Sequence, residues 1–194
     1  MTVKEIKKIL EYELSPKRFT HSVNVMNASI VLAEKHGANL KQAALAGLLH
    51  DCAREISNEK LLELSKKFDM NGDHVIFEQP ELLHGPVGSK LAKSEYGIID
   101  KSILYAVYYH TIGRENMSLL EKVVFVADYI EPGRKFSGVE EIRKAAEDDL
   151  DQAMILALDS TICHVMSMGR LIHPNAIFTR NFIIRSKIQK KSEI

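Results

Sequence analysis

LAGLLHDCARE, residues 45–55, runs from an apolar segment directly into two polar side chains. Leu48 and Leu49, with the preceding run LKQAALA, predict a largely buried helix. His50 and Asp51 follow at its end, although an ionised carboxylate is very unfavourable in a dry interior unless it has a partner. Either this end of the helix is hydrated, or a positive charge lies against it.

Length, composition and charge limit the class of protein. The 194 residues, 45% of them hydrophobic, suit a single globular domain. The 26 basic residues balance the 26 acidic ones, whereas a protein whose main partner is nucleic acid or a membrane usually has a basic excess. No apolar run reaches membrane-spanning length, and the N-terminal sequence MTVKEIKKILEYEL lacks the apolar core of a signal peptide. We therefore expect no nucleic-acid or membrane partner.

The two cysteines, Cys52 and Cys163, form no metal-type pair. We interpret both as buried structural thiols in a reduced, cytoplasmic setting. The sequence leaves the oligomeric state open, and a homodimer is one of the alternatives.

Helix-capping signals recur along the chain and predict an all-α protein. Thr2 with Glu5 forms a capping box, and Ser15 precedes a proline at the first position of a helix that should stop at Gly37. Asn39 should cap a helix that reaches about Cys52. Further caps are expected at Ser57, Asp100 and Ser118, the last with Glu121 as a second capping box, and a further helix should begin near His84.

These signals indicate a single-domain helical bundle of about eight to ten helices over residues 1–194. Its core should span residues 15–185, with residues 186–194 forming a frayed basic tail. A short helix and a long one should precede Gly169, and one more follows it. The stretch DHVIFEQ (73–79) is too short to assign, and no segment shows convincing strand alternation.

Four more polar residues occupy similarly unexpected positions. Asp128 lies within LLEKVVFVADYI, which is apolar almost all round and should therefore be buried. His110 ends ILYAVYYHT, while His21 and His84 occur in RFTHSVNV and LLHGPVG. Each residue alone is more often a cap or a hydrogen-bonded core group, which is how we interpret His36, His74, His164 and His173. The six residues His21, His50, Asp51, His84, His110 and Asp128 together are harder to explain as caps or core groups.

Imidazole and carboxylate groups in this combination suit iron, manganese, zinc and other first-row divalent metals. Adjacent residues on a helix point about 100° apart. His50 and Asp51 could therefore meet one ion only if it lay near the helix surface between them. Asp51 could alternatively bridge two ions with its two oxygens. The residues leave the number of ions open.

The sequence resembles the HD-domain metal phosphohydrolases, whose signature is a histidine, a His-Asp doublet and a distant aspartate on helices. Within that family it looks most similar to the YqeK branch of bacterial symmetrical bis(5′-nucleosyl)-tetraphosphatases. The segments that carry this resemblance are GLLHDCAREI, LLHGPVGSKLA, HTIGRENMSLLEKVVFVADYIEPGRKFSGVEEIRKAA and DLDQAM.

The resemblance implies an all-α HD-domain fold and cleavage of a nucleotide substrate such as diadenosine tetraphosphate into two nucleoside diphosphates. It also implies one or two divalent ions, iron first, with manganese, zinc, nickel or cobalt as alternatives. The implied metal ligands are His21, His50, Asp51 and Asp128. His84 and His110 match the histidines that some HD proteins use for a second metal, or they face the phosphates.

Asp51, His84 and His110 are thus the predicted catalytic residues, and a smaller set of side chains could contact substrate. Arg18 shares a helix face with His21, although it could instead be a surface residue of the first turn. Arg134 follows Asp128 in EPGRK and could contact phosphate, or it could pair with Glu131. Weaker predicted contacts are Thr111, Lys135 and Arg180, while GRKFSG (133–138) could form a mobile rim.

Three other functions compete with this one. The chain could be a different HD-type nucleotide phosphohydrolase or phosphodiesterase, because metal ligands do not distinguish substrates. It could be a nucleotide-binding regulator with an idle metal site. It could also be a helical interaction protein whose core histidines are simply satisfied.

Overall fold

The computed structural model describes residues 1–70 and 74–192, in which eleven α-helices and one 3₁₀ helix form the fold and no strand occurs. The α-helices are α1 (Val3–Glu13), α2 (Pro16–His36), α3 (Leu40–Leu49), α4 (Asn58–Lys67), α5 (His74–Glu78), α6 (His84–Ser94), α7 (Lys101–Tyr109), α8 (Leu119–Ile130), α9 (Val139–Asp148), α10 (Leu150–Ser167) and α11 (Pro174–Ser192). The 3₁₀ helix, Pro80–Leu83, leads directly into α6. The predicted all-α class is confirmed.

Most predicted caps are confirmed. The Thr2 hydroxyl accepts from the Glu5 amide, and the Glu5 carboxylate accepts from the Thr2 amide in return. Ser15 caps α2, which ends at Gly37 with a left-handed φ of 79°. Asn39, Ser57 and Asp100 cap α3, α4 and α7 through their side chains. Short-range hydrogen bonds therefore explain where these helices begin.

Several boundaries differ from the prediction. The second capping box is only half formed: Ser118 caps α8, but the Glu121 carboxylate binds Arg114 instead of the Ser118 amide. Helix α3 ends at Leu49, three residues before Cys52, and turns follow.

Residues 74–78 of the unassigned stretch form α5, whereas Asp73 lies outside the described residues. Helix α11 continues through Ser192, and residues 193–194 of the predicted tail lie outside the described part. One further expectation needs correction: Cys52 is buried as expected, but Cys163 on α10 is exposed.

Helix α8 forms the centre of the bundle and packs against α2, α3, α7 and α10. Residues 123–127, VVFVA, are all fully buried, which explains why α8 is apolar on every side. This packing holds Asp128 beside the core. None of the helices in the described residues has the length and apolarity that a membrane span requires.

Two glycines let the helices that carry histidines approach closely. A Cβ atom on Gly47 of α3 would lie 2.6 Å from the Ser29 hydroxyl of α2, and one on Gly85 of α6 would lie 2.8 Å from the Tyr108 carbonyl of α7. Both approaches exclude a larger side chain without rearrangement. They bring the end of α3 to α2, and the start of α6 to the end of α7.

Candidate metal centre

Four histidines surround Asp51, which lies in the turn after α3 and is 4% exposed. Its Oδ2 atom is 3.5 Å from Nε2 of both His21 and His50. Its Oδ1 atom is 3.3 Å from Nε2 of His84 and 3.6 Å from Nε2 of His110. Asp51 therefore presents one oxygen to each of two histidine pairs.

Within each pair, the two Nε2 atoms point at one another. They are 3.2 Å apart for His21 and His50, and 3.0 Å apart for His84 and His110. Two ligand atoms at right angles around an ion, each with a bond of about 2.1 Å, also lie about 3.0 Å apart. Both groups have the donor atoms and spacing of a metal site.

Main-chain hydrogen bonds orient three of these imidazoles in the same way. The Nδ1 atoms of His50, His84 and His110 each donate to the main-chain carbonyl three residues earlier, at 2.7, 2.5 and 2.7 Å. Because a carbonyl can only accept, each of these Nδ1 atoms carries a proton, and each ring turns its Nε2 atom into the cluster. Two ring nitrogens that face one another at 3.0 Å suit a cation between them.

His21 is oriented by a carboxylate that sequence reasoning missed. Glu131, 4% exposed at the end of α8, lies 3.2 Å from His21 Nδ1 through its Oε1 atom. Its Oε2 atom accepts from the Asn24 amide at 2.9 Å and from the Gly133 amide at 2.6 Å. A carboxylate behind a ligating histidine is a common supporting arrangement. No local feature of the sequence marks this role, because it depends on His21, 110 positions earlier.

Asp128 and two arginines complete the charged part of the site. The Oδ1 atom of Asp128 is 3.1 Å from His21 Nε2 and 3.9 Å from His50 Nε2, and it pairs with Arg134. The Nε atom of Arg134 also donates to the Asp128 carbonyl at 2.7 Å. Arg18 Nη1 is 2.6 Å from Asp51 Oδ2. Arg134 therefore pairs with Asp128 and not with the Glu131 carboxylate, the alternative partner.

The environment shifts the pKa values of both carboxyl groups and of two of the histidines. Burial opposes ionisation of Asp51 and Asp128, but the surrounding histidines, and Arg134 in the case of Asp128, hold the pKa of each carboxyl well below its usual range. Burial lowers the pKa of His84 to about 4, so this ring is neutral at pH 7. Burial also opposes charge on His21, but hydrogen bonding to Asp128 raises its pKa overall. The carboxylates thus attract positive charge to the cluster.

The weaker predicted contacts have different positions. Thr111 joins the site, because its hydroxyl is 3.1 Å from His84 Nε2 and 3.0 Å from His110 Nε2. Lys135 is exposed on the segment after α8. Arg180 is engaged by Asp159 of α10 and does not line the cavity beside the cluster, so the structure gives its predicted substrate contact no support.

A cavity of about 510 Å³ opens from the cluster, at His110, Thr111, Asp128 and Arg134. Its other walls include the aromatic rings of Tyr129 and Phe136 and, from α10, Ser160, Thr161 and His164. The sequence favours a structural role for His164, and Phe136 lies in the segment 133–138 that it predicts as a rim, whereas Tyr129, Ser160 and Thr161 carry no sequence-based prediction. Ser160 and His164 are four residues apart on one helix face, which is a signal the sequence did contain.

The HD domain family model matches residues 18–133, which include every proposed metal ligand. The chain belongs to the HD-domain family. The HD-domain proteins are metal-dependent phosphohydrolases, and this enzyme class applies to the chain. The histidine and aspartate groups around Asp51 are those that could hold the metal.

Known relatives extend the HD-domain match over nearly the whole chain. A Bacillus subtilis protein named bis(5′-nucleosyl)-tetraphosphatase, symmetrical, is 42% identical over 90% of this chain and 94% of its own. A Staphylococcus aureus protein of the same name is 33% identical over 94% of both chains. A Clostridium acetobutylicum crystal structure, described as a predicted HD superfamily hydrolase involved in NAD metabolism, has a TM-score of 0.93 at 41% identity and covers 96% of this chain and 98% of its own.

Proposed function

We propose that the chain hydrolyses dinucleoside tetraphosphates, such as diadenosine tetraphosphate, symmetrically into two nucleoside diphosphates. The names and coverage of the curated relatives support this substrate class. The observation that carries the chemistry is the arrangement of two histidine pairs around the two oxygens of Asp51. A cytoplasmic location and a homodimer stay predictions.

We assign the metal ligands in two groups. His21, His50, Asp51 and Asp128 would hold one divalent ion, and His84 and His110, together with Asp51, would hold a second. We propose iron, with manganese, zinc, nickel and cobalt as alternatives, because the nitrogen and oxygen donors suit all of them. A metal bound here lowers the pKa of water toward neutrality and offsets charge on phosphoryl oxygens.

The state of His84 supports the ligand role over the alternative in which it donates to phosphate. Its proton is on Nδ1, which binds the Glu81 carbonyl, so Nε2 of the neutral ring has no proton to donate. A second proton on this ring is unfavourable at neutral pH, because its pKa is about 4. The hydroxyl of Thr111 is the better hydrogen-bond donor at this position.

Arg18 and Arg134 are the proposed phosphate contacts. Their side chains are 27% and 38% exposed, and each already lies against one of the two aspartates. A guanidinium group can contact two phosphate oxygens at once, and its charge stabilises the leaving diphosphate. Lys135 on the same segment as Arg134 adds positive charge near the cavity. We assign no substrate contact to Arg180.

The cavity beside the cluster is the proposed nucleoside site. Its volume of about 510 Å³ is within the usual range for small-molecule sites. Tyr129 and Phe136 offer aromatic surface to a base, while Ser137 and Ser160 offer hydroxyl groups to a ribose. One nucleoside diphosphate would extend from this cavity to the cluster.

Metal analysis and product identification test the proposal together. Purified protein is analysed for bound metals, then incubated with diadenosine tetraphosphate, and the nucleotides are separated by chromatography. We expect one or two ions per chain and ADP as the only nucleotide product. AMP together with ATP would contradict symmetric cleavage. Metal and nucleotide binding without turnover of any dinucleoside polyphosphate would instead indicate a regulator.

A further inference from the structure

We infer that Arg143 is a positioning residue that holds Arg134 where it can contact the phosphate chain. The inference rests on the proposed function and adds a residue outside the metal centre to it. Arg143 lies on α9, and its contacts are to the main chain that connects Asp128 to the cavity rim.

The guanidinium group of Arg143 binds three carbonyl oxygens of one segment. Its Nε atom donates to the Ile130 carbonyl at 3.0 Å, at the last residue of α8. Its Nη2 atom donates to the carbonyls of Glu131 and Arg134 at 3.0 and 3.1 Å. The last carbonyls of a helix lack partners within the helix, so a cation at this position stabilises the helix end and the chain after it.

The same segment fixes where the Arg134 side chain can reach. The Arg134 amide donates to the Glu131 carbonyl at 2.9 Å, which closes a turn. Arg143 binds the carbonyls of the first and last residues of this turn, Glu131 and Arg134. The turn directs the Arg134 guanidinium back to the Asp128 carbonyl and carboxylate. A shift of the turn would therefore move the guanidinium away from the cluster.

The hydrogen bonds to these three carbonyls favour arginine over lysine at position 143. An arginine carries its donors on a rigid planar fork, whereas a lysine has one nitrogen on a flexible stem. The fourth contact of Arg143 is Nη1 to the Glu140 carboxylate, at 2.5 Å, and the Glu140 side chain is 81% exposed. Since Arg143 has no contact with the cluster in the described residues, its effect on substrate must pass through the segment that it binds.

The test uses the full-length, metal-loaded protein with Arg143→Lys, Arg143→Gln and Arg134→Ala, and the Arg143→Lys/Arg134→Ala double variant. We expect Arg143→Lys and Arg143→Gln to raise KM for diadenosine tetraphosphate about tenfold, equivalent to about 1.4 kcal/mol. The kcat value and the metal content should change little. In the Arg134→Ala background, Arg143→Lys should raise KM no further. Glu140→Ala, which removes only the exposed contact, is the matched control and should retain the wild-type KM.

Binding of ADP by calorimetry is measured for every variant, so the coupling can be read independently of turnover. Additive effects of the two arginine substitutions would overturn the inference, and so would a wild-type KM and ADP affinity in Arg143→Lys. Loss of metal from that variant would also overturn the inference, because Arg143 would then act on the cluster through Glu131 and not on Arg134. Failure of both Arg143 variants to fold, by circular dichroism, would assign Arg143 to stability alone. Failure of wild-type protein to release ADP overturns only the proposed function.

Discussion

Glu131→Gln should invert the proton position on His21. Two donors, the Asn24 amide and the Gly133 amide, bind the Oε2 atom of Glu131. In the variant, the two amides need an acceptor, so they bind the single carbonyl oxygen of the glutamine. The NH₂ group of the glutamine then faces His21 Nδ1. That nitrogen must then accept, and the ring proton moves to Nε2. Nε2 is the atom that faces His50 and Asp128, so the variant blocks a proposed ligand.

The size of the effect follows from one lost contact. The carboxylate of Glu131 accepts from Nδ1 of His21 at 3.2 Å, and a hydrogen bond to a charged group contributes about 2 kcal/mol. That energy corresponds to about a 30-fold change in metal affinity, which is within the range of about 10- to 100-fold for residues that support metal ligands. We therefore expect metal affinity to fall about 30-fold.

A competition titration with a coloured chelator measures this affinity directly, and metal analysis after dialysis checks it. Glu121→Gln is the matched control: Glu121 is equally buried and binds Arg114 through both oxygens, at 2.8 Å each. This control should lower the free energy of unfolding without changing metal affinity. If Glu131→Gln binds metal as tightly as the wild type, or if Glu121→Gln loses metal equally, the tautomer argument is wrong.

Three further substitutions test other parts of the structure. Asp51→Ala should abolish metal binding and hydrolysis, because it removes the carboxylate that faces both histidine pairs; retained turnover in a product assay would exclude the proposed chemistry. Arg180→Ala should leave kcat/KM unchanged and cost about 0–1 kcal/mol in urea unfolding, because a partly exposed pair with Asp159 is all that it loses. Gly47→Ala should cost about 1–3 kcal/mol in the same assay, because the added methyl would contact the Ser29 hydroxyl and the Val25 carbonyl; a stable variant would show that α2 can move away.

Local signals in the sequence were sufficient to predict much of the fold. Ser15 marks the start of α2 and Gly37 marks its end, through short-range hydrogen bonds and backbone geometry. The ends of this helix can therefore be predicted without the rest of the chain. The half-formed capping box failed for a tertiary reason: Glu121 meets Arg114, which adds a charge that the Ser118 amide lacks. Helix α5 is too short for its periodicity to be distinguished from a strand.

The candidate site was predictable to the extent that its residues conflict with their surroundings. Asp128 stands out because it interrupts an apolar helix. Glu131 does not stand out, because a charged residue at a helix end is ordinary, and its role depends on His21, 110 positions earlier. Arg180 resembles a phosphate contact by type, but its distance from the cluster depends on how α11 packs against α10. Long-range packing is what the sequence alone did not provide.

The position of three histidines at helix ends explains how one sequence feature serves both fold and chemistry. His50 and His110 occupy the caps that end α3 and α7, and His84 ends the 3₁₀ helix. The last carbonyls of each helix lack partners, and the Nδ1 proton of each ring binds the carbonyl three residues earlier. The same bond leaves the Nε2 atom directed away from the helix. An apolar helix that ends in histidine can therefore be buried to its last residue and still present a metal ligand beyond it.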